Sequence, residues 1–144
     1  MSKGLEKELI KKAMEMTKMS YAPYSGYHVG AALLAANGQI YTGCNIENAS
    51  YGATNCAERT AFFKAVSEGV KEFEAIAVVG APADAAAENT FSEYAYPCGI
   101  CRQVMQEFCK KDFQIIVAKS EEDYQIYTLR EILPFGFGGI DQKG

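Results

Sequence analysis

The stretch Phe73–Gly80, FEAIAVVG, is mostly apolar and has the length of one β-strand. An apolar run of this kind is typical of a strand that is covered on both faces of a sheet. A second such run, FQIIVA, lies at Phe113–Ala118. Residues 99–109 between them have helical periodicity, so the two strands are predicted to belong to one α/β sheet with helices between its strands.

Working outward from this centre, the remaining patterns complete one such sheet. Helices are predicted at residues 3–19 and 56–68, and strands at 27–36, 39–43 and 124–127. Asn37-Gly38 separates the first two strands and suits a tight hairpin turn, because both residues tolerate positive φ. Residues 81–97 are predicted to be a long loop, and Thr128-Leu-Arg-Glu131 resembles a capping box that begins a last short helix.

Length and composition bound the class of protein. The chain has 144 residues, of which 49% are hydrophobic and 22% charged, so a single domain over residues 1–144 is expected. The net charge is −4, which disfavours nucleic-acid binding because neutralising phosphates requires many cations. No apolar run approaches the roughly 20 residues that span a bilayer, so no membrane partner is expected.

The location of the chain is predicted from its N-terminus and its cysteines. The N-terminal sequence MSKGLEKELIKK is charged and contains no signal-peptide core, so we expect a cytoplasmic protein. Its five cysteines are an odd number and should be reduced there. Reduced cysteines at particular spacings indicate metal binding or catalysis rather than a disulfide framework.

Two short strings carry the predicted chemistry, and each begins a predicted helix. They are Cys56-Ala-Glu58-Arg59 and Pro97-Cys98-Gly-Ile-Cys101-Arg102. Thiolates are favoured at helix N-termini, and three of them leave the fourth position of a tetrahedral zinc ion open for water, as in catalytic sites. Glu58 follows Cys56 closely enough to exchange protons with that water without binding the metal.

Several neighbouring residues qualify this interpretation. Three thiolates give the zinc site a net negative charge, and Arg59 and Arg102 are expected to compensate it by donating to sulfur. Cys98-x-x-Cys101 alone could also be a redox pair. A closed four-cysteine site could take its fourth ligand from Cys44, whereas Cys109 is expected to be a buried core residue.

The combination of Cys-x-Glu with Pro-Cys-x-x-Cys resembles the signature of the zinc-dependent deaminases. Further motifs extend the resemblance to the small, homotetrameric cytidine deaminases of the three-cysteine zinc type, over roughly residues 5–137. In chain order these motifs are Tyr21-Ala-Pro-Tyr-Ser25, Val29-Gly-Ala-Ala-Leu33, Gly43-Cys-Asn-Ile-Glu-Asn48, Asn55-Cys-Ala-Glu-Arg-Thr60 and Pro97-Cys-Gly-Ile-Cys-Arg-Gln103.

The resemblance implies a three-layer α/β/α sandwich around a mixed five-stranded sheet, one Zn²⁺ per chain, and a homotetramer with active sites at the subunit interfaces. It implies hydrolytic deamination of cytidine and 2′-deoxycytidine, a reaction of pyrimidine salvage. Glu58 would shuttle the proton to N3 and then to the departing amine. The carbonyl of Ala57 would hold the amino group, and Asn45 and Glu47 would bind the ribose 3′-hydroxyl.

Two aromatic residues and one segment depart from the family pattern or match it loosely. Tyr27 lies where these enzymes have a Phe against the base, and its hydroxyl needs a partner. Phe137 matches an aromatic residue that reaches a neighbouring subunit's site, although Phe135 is equally available. Residues 81–96 form a longer segment than usual before the zinc motif and could alter access to the site.

Three alternatives stay open at the level of the sequence. A deaminase of a modified aminopyrimidine nucleoside, such as blasticidin S, would keep the metal and Glu58 but differ in the sugar pocket. A structural zinc or thiol-redox module would have a closed Cys₄ site or a Cys98–Cys101 disulfide. Polynucleotide editing is the weakest alternative, because the chain is acidic and has no basic stripe.

Overall fold

The centre of the computed structural model, which describes residues 1–138, is the strand predicted from FEAIAVVG, here β3 (Phe73–Pro82). It pairs antiparallel with β1 (Tyr27–Ala35) and parallel with β4 (Gln114–Ala118). The edge strands β2 (Ile40–Cys44) and β5 (Tyr124–Thr128) run antiparallel to β1 and β4. The sheet is therefore mixed, in the order β2-β1-β3-β4-β5.

The helices begin and end at sequence signals. They are α1 (Lys3–Met16), α2 (Ala57–Ser67), α3 (Ala83–Ala87), α4 (Gly99–Phe108) and α5 (Leu129–Ile132). Thr128 and Glu131 form the predicted capping box at α5, and Gly69 (φ 89°) follows α2. A 3₁₀ turn at Thr17–Met19 extends α1, which accounts for the predicted helix at residues 3–19. None of these helices, within residues 1–138, is long and apolar enough to cross a membrane.

The helices cover both faces of the sheet, so the predicted three-layer sandwich is confirmed. Alternate residues of β3 point to opposite faces. Ile76 and Val78 join a core that also contains Phe62 of α2 and Met105 of α4. Ala77 and its neighbours on the opposite face pack instead with residues of α1. Each face is thus a separate apolar core, and α2 and α4 share one face.

The predicted loop over residues 81–97 is wrong at its beginning. β3 extends to Pro82, and residues 83–87 form the short helix α3. Four of the five residues of α3 are alanine, which has the highest helix propensity, and Ala86 is buried against the α1 face of the sheet. The rest of the segment, residues 88–96, has no helix or strand, as predicted.

Gly43 of β2 lies directly against the first turn of α2. A Cβ atom added at Gly43 would lie 2.6 Å from the backbone nitrogen of Ala61 and would overlap the carbonyl oxygen of Ala57. The helix can approach the sheet this closely only because Gly43 has no side chain. This contact sets the position of the α2 N-terminus, and with it that of Cys56 and Glu58.

We expect Gly43→Ala to lower the free energy of unfolding by about 1–3 kcal/mol, because the new methyl group overpacks the contact with α2. Gly4→Ala is the matched control. Its Cβ has space in the first turn of α1, and alanine stabilises a helix relative to glycine by up to about 1 kcal/mol. Urea denaturation of both variants measures the difference. Equal stabilities for Gly43→Ala and the parent chain would contradict this account.

Candidate metal centre and adjoining pocket

The structure brings the three predicted thiols together at the start of two helices. Cys56 is the N-cap of α2, Cys98 is the N-cap of α4, and Cys101 lies in the first turn of α4. Their sulfur atoms all lie within 4.8 Å of one another, and the Cys56 and Cys98 sulfurs are 3.8 Å apart. Zn–S bonds of about 2.3 Å in a tetrahedral site place sulfurs roughly 3.8 Å apart, so the cluster fits zinc.

The other two cysteines do not join this cluster. The Cys44 thiol is buried and donates to the Met19 carbonyl oxygen at 3.4 Å. Cys109 is buried at the opposite end of α4, in the core that this helix shares with α2, as predicted. In the part of the chain that the structure describes, the cluster therefore offers three sulfur ligands and leaves the fourth position open.

The two predicted arginines have different partners. Arg59 donates from Nη2 to the Cys56 sulfur at 3.2 Å, in agreement with the prediction. Arg102 instead donates from Nε to the Pro97 carbonyl oxygen at 2.8 Å and from Nη1 to the Ile132 carbonyl oxygen at 2.7 Å. The prediction that Arg102 donates to a sulfur is therefore wrong. Its guanidinium thus links the residue before the α4 N-cap to the last residue of α5.

The charges of the cluster favour a bound cation. The pKa of the Cys56 thiol is lowered to about 5, first by its hydrogen bond with Cys101 and then by the Arg59 guanidinium. The same hydrogen bond raises the pKa of Cys101. One sulfur is thus a thiolate at neutral pH, and thiolate is the form of cysteine that binds metal.

Glu58 is the buried carboxyl group of the site, with 4% of its surface exposed. Desolvation by burial is the main cause that raises its pKa to about 7, and the charge of Cys56 adds to this effect. A carboxyl group with a pKa near neutrality can both accept and donate a proton at working pH. Glu58 lies in the first turn of α2, two residues after Cys56.

A cavity of about 450 Å³ opens beside the cluster. Its volume suits a small organic ligand. Among the residues that line the cavity, the sequence analysis did not predict Val29, Val78 or the segment Tyr94–Tyr96. This segment lies just before the zinc motif, but no motif or spacing in the sequence indicates that it lines a cavity. The cavity is lined by Tyr27, Val29, Asn45, Glu47, Thr54, Asn55, Cys56, Ala57, Glu58, Val78, Tyr94, Ala95, Tyr96 and Cys98.

Asn45 and Glu47 both line this cavity, but local hydrogen bonds already engage each side chain. The Asn45 side chain accepts from the Val29 N–H at 2.9 Å and donates to the Tyr27 carbonyl oxygen at 2.8 Å. The Glu47 carboxylate accepts from the Ser25 hydroxyl and N–H, which lower its pKa. Glu47 is therefore an ionised acceptor at neutral pH, and both side chains are held in fixed orientations.

Ala57 is the first residue of α2 and lines the cavity. Its carbonyl oxygen lies near Gly43 of β2. The Cys56 side chain makes no capping hydrogen bond to the start of this helix. The contact between the Ala57 carbonyl and an amino group of a ligand stays a prediction.

The two predicted aromatic residues occupy different surroundings. Tyr27 lies on Gly80, where an added Cβ would be 2.8 Å from its ring, so the missing side chain at Gly80 accommodates the ring. Burial, followed by the Glu93 carboxylate, raises the pKa of the Tyr27 hydroxyl. Phe137 does not line the cavity of its own chain. Its side chain is 77% exposed, and Gln103 donates to its carbonyl oxygen at 2.8 Å.

Comparisons with known proteins agree with this geometry. A family model described as the cytidine and deoxycytidylate deaminase zinc-binding region matches residues 4–117. A cytidine deaminase of Sporosarcina psychrophila is 47% identical over 134 residues, which cover 93% of this chain and 92% of that protein. A more distant relative, the blasticidin-S deaminase of Bacillus cereus, is 30% identical over 130 residues and 90% of each protein.

Solved structures give the same result. The crystal structure of cytidine deaminase from Burkholderia pseudomallei matches with a TM-score of 0.79 and 42% identity, covering 90% of this chain and 97% of that chain. The zinc-binding family model and the three-thiol cluster together fit one Zn²⁺ per chain. The chain therefore belongs to the zinc-binding family of cytidine and deoxycytidylate deaminases.

Proposed function

We propose that this chain catalyses the hydrolytic deamination of cytidine and 2′-deoxycytidine to uridine and 2′-deoxyuridine, with release of ammonia. Residues 1–144 would form one catalytic domain for this step of pyrimidine salvage. The observation that carries the proposal is the buried Glu58, whose pKa is near 7, beside an open cluster of three thiols and a cavity of nucleoside size.

Cys56, Cys98 and Cys101 would hold the zinc ion. When bound, Zn²⁺ acts as a Lewis acid and lowers the pKa of water to about 7. Arg59, which donates to the Cys56 sulfur, would offset part of the negative charge of the thiolates. The N-termini of α2 and α4 contribute in the same direction, because helix N-termini favour negative charge.

Glu58 would carry the proton through the reaction. It accepts a proton from the attacking water and delivers it to N3 of the pyrimidine, while the water oxygen bonds to C4. It then takes the proton of the new C4 hydroxyl and transfers it to the exocyclic amine, so that the C4–N bond breaks, the C4 carbonyl forms and ammonia leaves. The overall reaction consumes one water and one cytidine and yields one uridine and one ammonia, with no redox change.

Residues along the cavity would orient the nucleoside. Ala57 lines the cavity and would contact the base, and Tyr27 offers a ring face for it. Glu47 is an ionised acceptor, and the Asn45 amide keeps one N–H beyond its bond to Tyr27. A sugar hydroxyl both donates and accepts a hydrogen bond, so it can bond to the Glu47 carboxylate and the Asn45 amide together.

The alternatives fit these observations less well. A deaminase for blasticidin S would use the same thiols and Glu58, but the preorganised Asn45 and Glu47 favour an ordinary ribose. A purely structural zinc site would have a fourth protein ligand, whereas Cys44 is directed to the Met19 carbonyl. A structural zinc site would also give the buried Glu58 carboxyl group no function.

We further propose a homotetramer with active sites at subunit interfaces, located in the cytoplasm. The exposed aromatic side chains Phe135, Phe137 and Tyr51 support the interface, because large apolar groups left in water mark association surfaces. Three thiols that must stay reduced to bind zinc support the location, because the cytosol is a reducing compartment.

We expect Cys56→Ser and Cys101→Ser each to lose most of the bound zinc, because a hydroxyl is a far weaker zinc ligand than a thiolate. Cys44→Ser is the matched control and should retain one zinc per chain. Metal analysis of the purified variants gives the answer. Zinc loss in Cys44→Ser equal to that in Cys56→Ser would support a closed four-cysteine site and contradict the open one.

We expect Glu58→Gln to retain zinc and to lower kcat for cytidine by at least about 10²–10⁴-fold, because an amide cannot shuttle protons. Glu68→Gln, at the exposed C-terminal end of the same helix, is the control and should retain the parent rate. The fall in ultraviolet absorbance on conversion to uridine measures both. Normal turnover by Glu58→Gln would remove Glu58 from the mechanism.

We expect Phe137→Ala to weaken assembly and to raise KM for cytidine about tenfold or more, because a central aromatic contact contributes a few kcal/mol at an interface. Phe135→Ala tests the other aromatic residue of the segment, which should matter less. Sedimentation and steady-state kinetics on both variants separate the two residues. A fully active monomer would contradict the proposed interfacial site.

A further inference from the structure

The wall of the cavity formed by Tyr94–Tyr96 comes from a segment without regular structure. In residues 1–138, the backbone from Phe91 to Tyr96 takes part in no backbone–backbone hydrogen bond. Phe91 anchors one end of the segment in the α1-side core, and buried Pro97 ends it before the zinc motif. Between these anchors the position of the wall depends on side-chain contacts.

Tyr94 makes two of these contacts. Its hydroxyl donates to the Asp123 carboxylate at 2.5 Å, and the Lys119 ammonium lies 4.6 Å from the centre of its ring. The hydrogen bond to Asp123 raises the pKa of Tyr94, so the hydroxyl remains a donor at neutral pH. Both partners lie at the turn between β4 and β5, and neither lines the cavity.

This turn is a fixed anchor. The Lys119 N–H donates to the Asp123 carbonyl oxygen at 2.9 Å, and the Asp123 N–H donates to the Ser120 hydroxyl at 3.0 Å. The turn closes a pair of hydrogen-bonded strands, so the backbone of Asp123 is held in register with the sheet. Because Tyr94 is hydrogen-bonded to Asp123, its position is fixed relative to the sheet against which α2 and α4 pack.

The rest of the wall packs around Tyr94. The rings of Tyr94 and Tyr96 are in edge contact, with 6.5 Å between their centres, and Tyr96 contacts Tyr127 of β5 at 6.1 Å. Ala95 is packed closely on Gly80, where an added Cβ would lie 3.1 Å from the Ala95 Cβ. The Tyr27 ring also packs on Gly80, so Ala95 and Tyr27 both contact the same residue of β3.

We infer that Tyr94 is a substrate-binding residue of this cavity and that Asp123, outside the cavity, is the positioning residue that holds it. Together they fix the 94–96 wall against which the pyrimidine ring is placed. This inference rests on the proposed deaminase function. It assigns a role to the segment 81–96, which the family resemblance leaves without one.

The test is a double-mutant cycle in the zinc-loaded enzyme. Tyr94→Phe and Asp123→Ala should each raise KM for cytidine about tenfold, the equivalent of one hydrogen bond to a charged group, with kcat changed less than about threefold. The double variant should be no worse than either single variant, because both changes break the same contact. Asp123→Asn keeps an acceptor and should restore most of the affinity.

The matched control is Tyr124→Phe. Tyr124 also donates to a carboxylate, that of Glu6 at 2.8 Å, but it lies on the α1 side of the sheet, away from the cavity. It should lose stability without a change in KM. An unchanged KM in Tyr94→Phe, an equal rise in Tyr124→Phe, or additive effects in the double variant would each overturn the inference. Failure of the parent enzyme to deaminate cytidine would instead contradict the proposed function.

Discussion

The meeting of two helix N-termini at one end of the sheet is the constraint on which the site depends. The starts of α2 and α4 converge on the same face of β3, and each places a cysteine at its N-cap. Helix N-termini favour negative charge, so the arrangement stabilises the thiolate that the cluster carries. Gly43 allows α2 to approach the sheet closely enough for this meeting. The same close approach of α2 to the sheet buries Glu58, which lies in the first turn of this helix.

Much of this arrangement could be predicted from the sequence, because the signals are local. Apolar runs indicate β3 and β4, Asn37-Gly38 indicates the hairpin, and a Cys-x-x-Cys pair at a helix start directs both sulfurs to one place. The short helix α3 was missed because its alanine-rich stretch carries no periodic apolar pattern. Its burial depends on the neighbouring sheet, which local sequence does not describe.

The features that sequence reasoning got wrong or missed depend on direction and on distant partners. Arg102 follows the zinc motif directly, yet its guanidinium is held by the carbonyl oxygens of Pro97 and Ile132. Likewise, Tyr94 meets Asp123, 29 residues later, only because β4 and β5 bring their turn beside the cavity.

The central claim is that this chain is a cytidine-deaminating zinc enzyme. The most direct measurement uses one reduced, purified sample of the parent chain, with zinc counted per chain and ultraviolet absorbance followed after addition of cytidine or 2′-deoxycytidine. The account predicts one zinc per chain and a fall in absorbance with both nucleosides, with one ammonia released per nucleoside converted. A folded, zinc-loaded protein that converts neither nucleoside would contradict it.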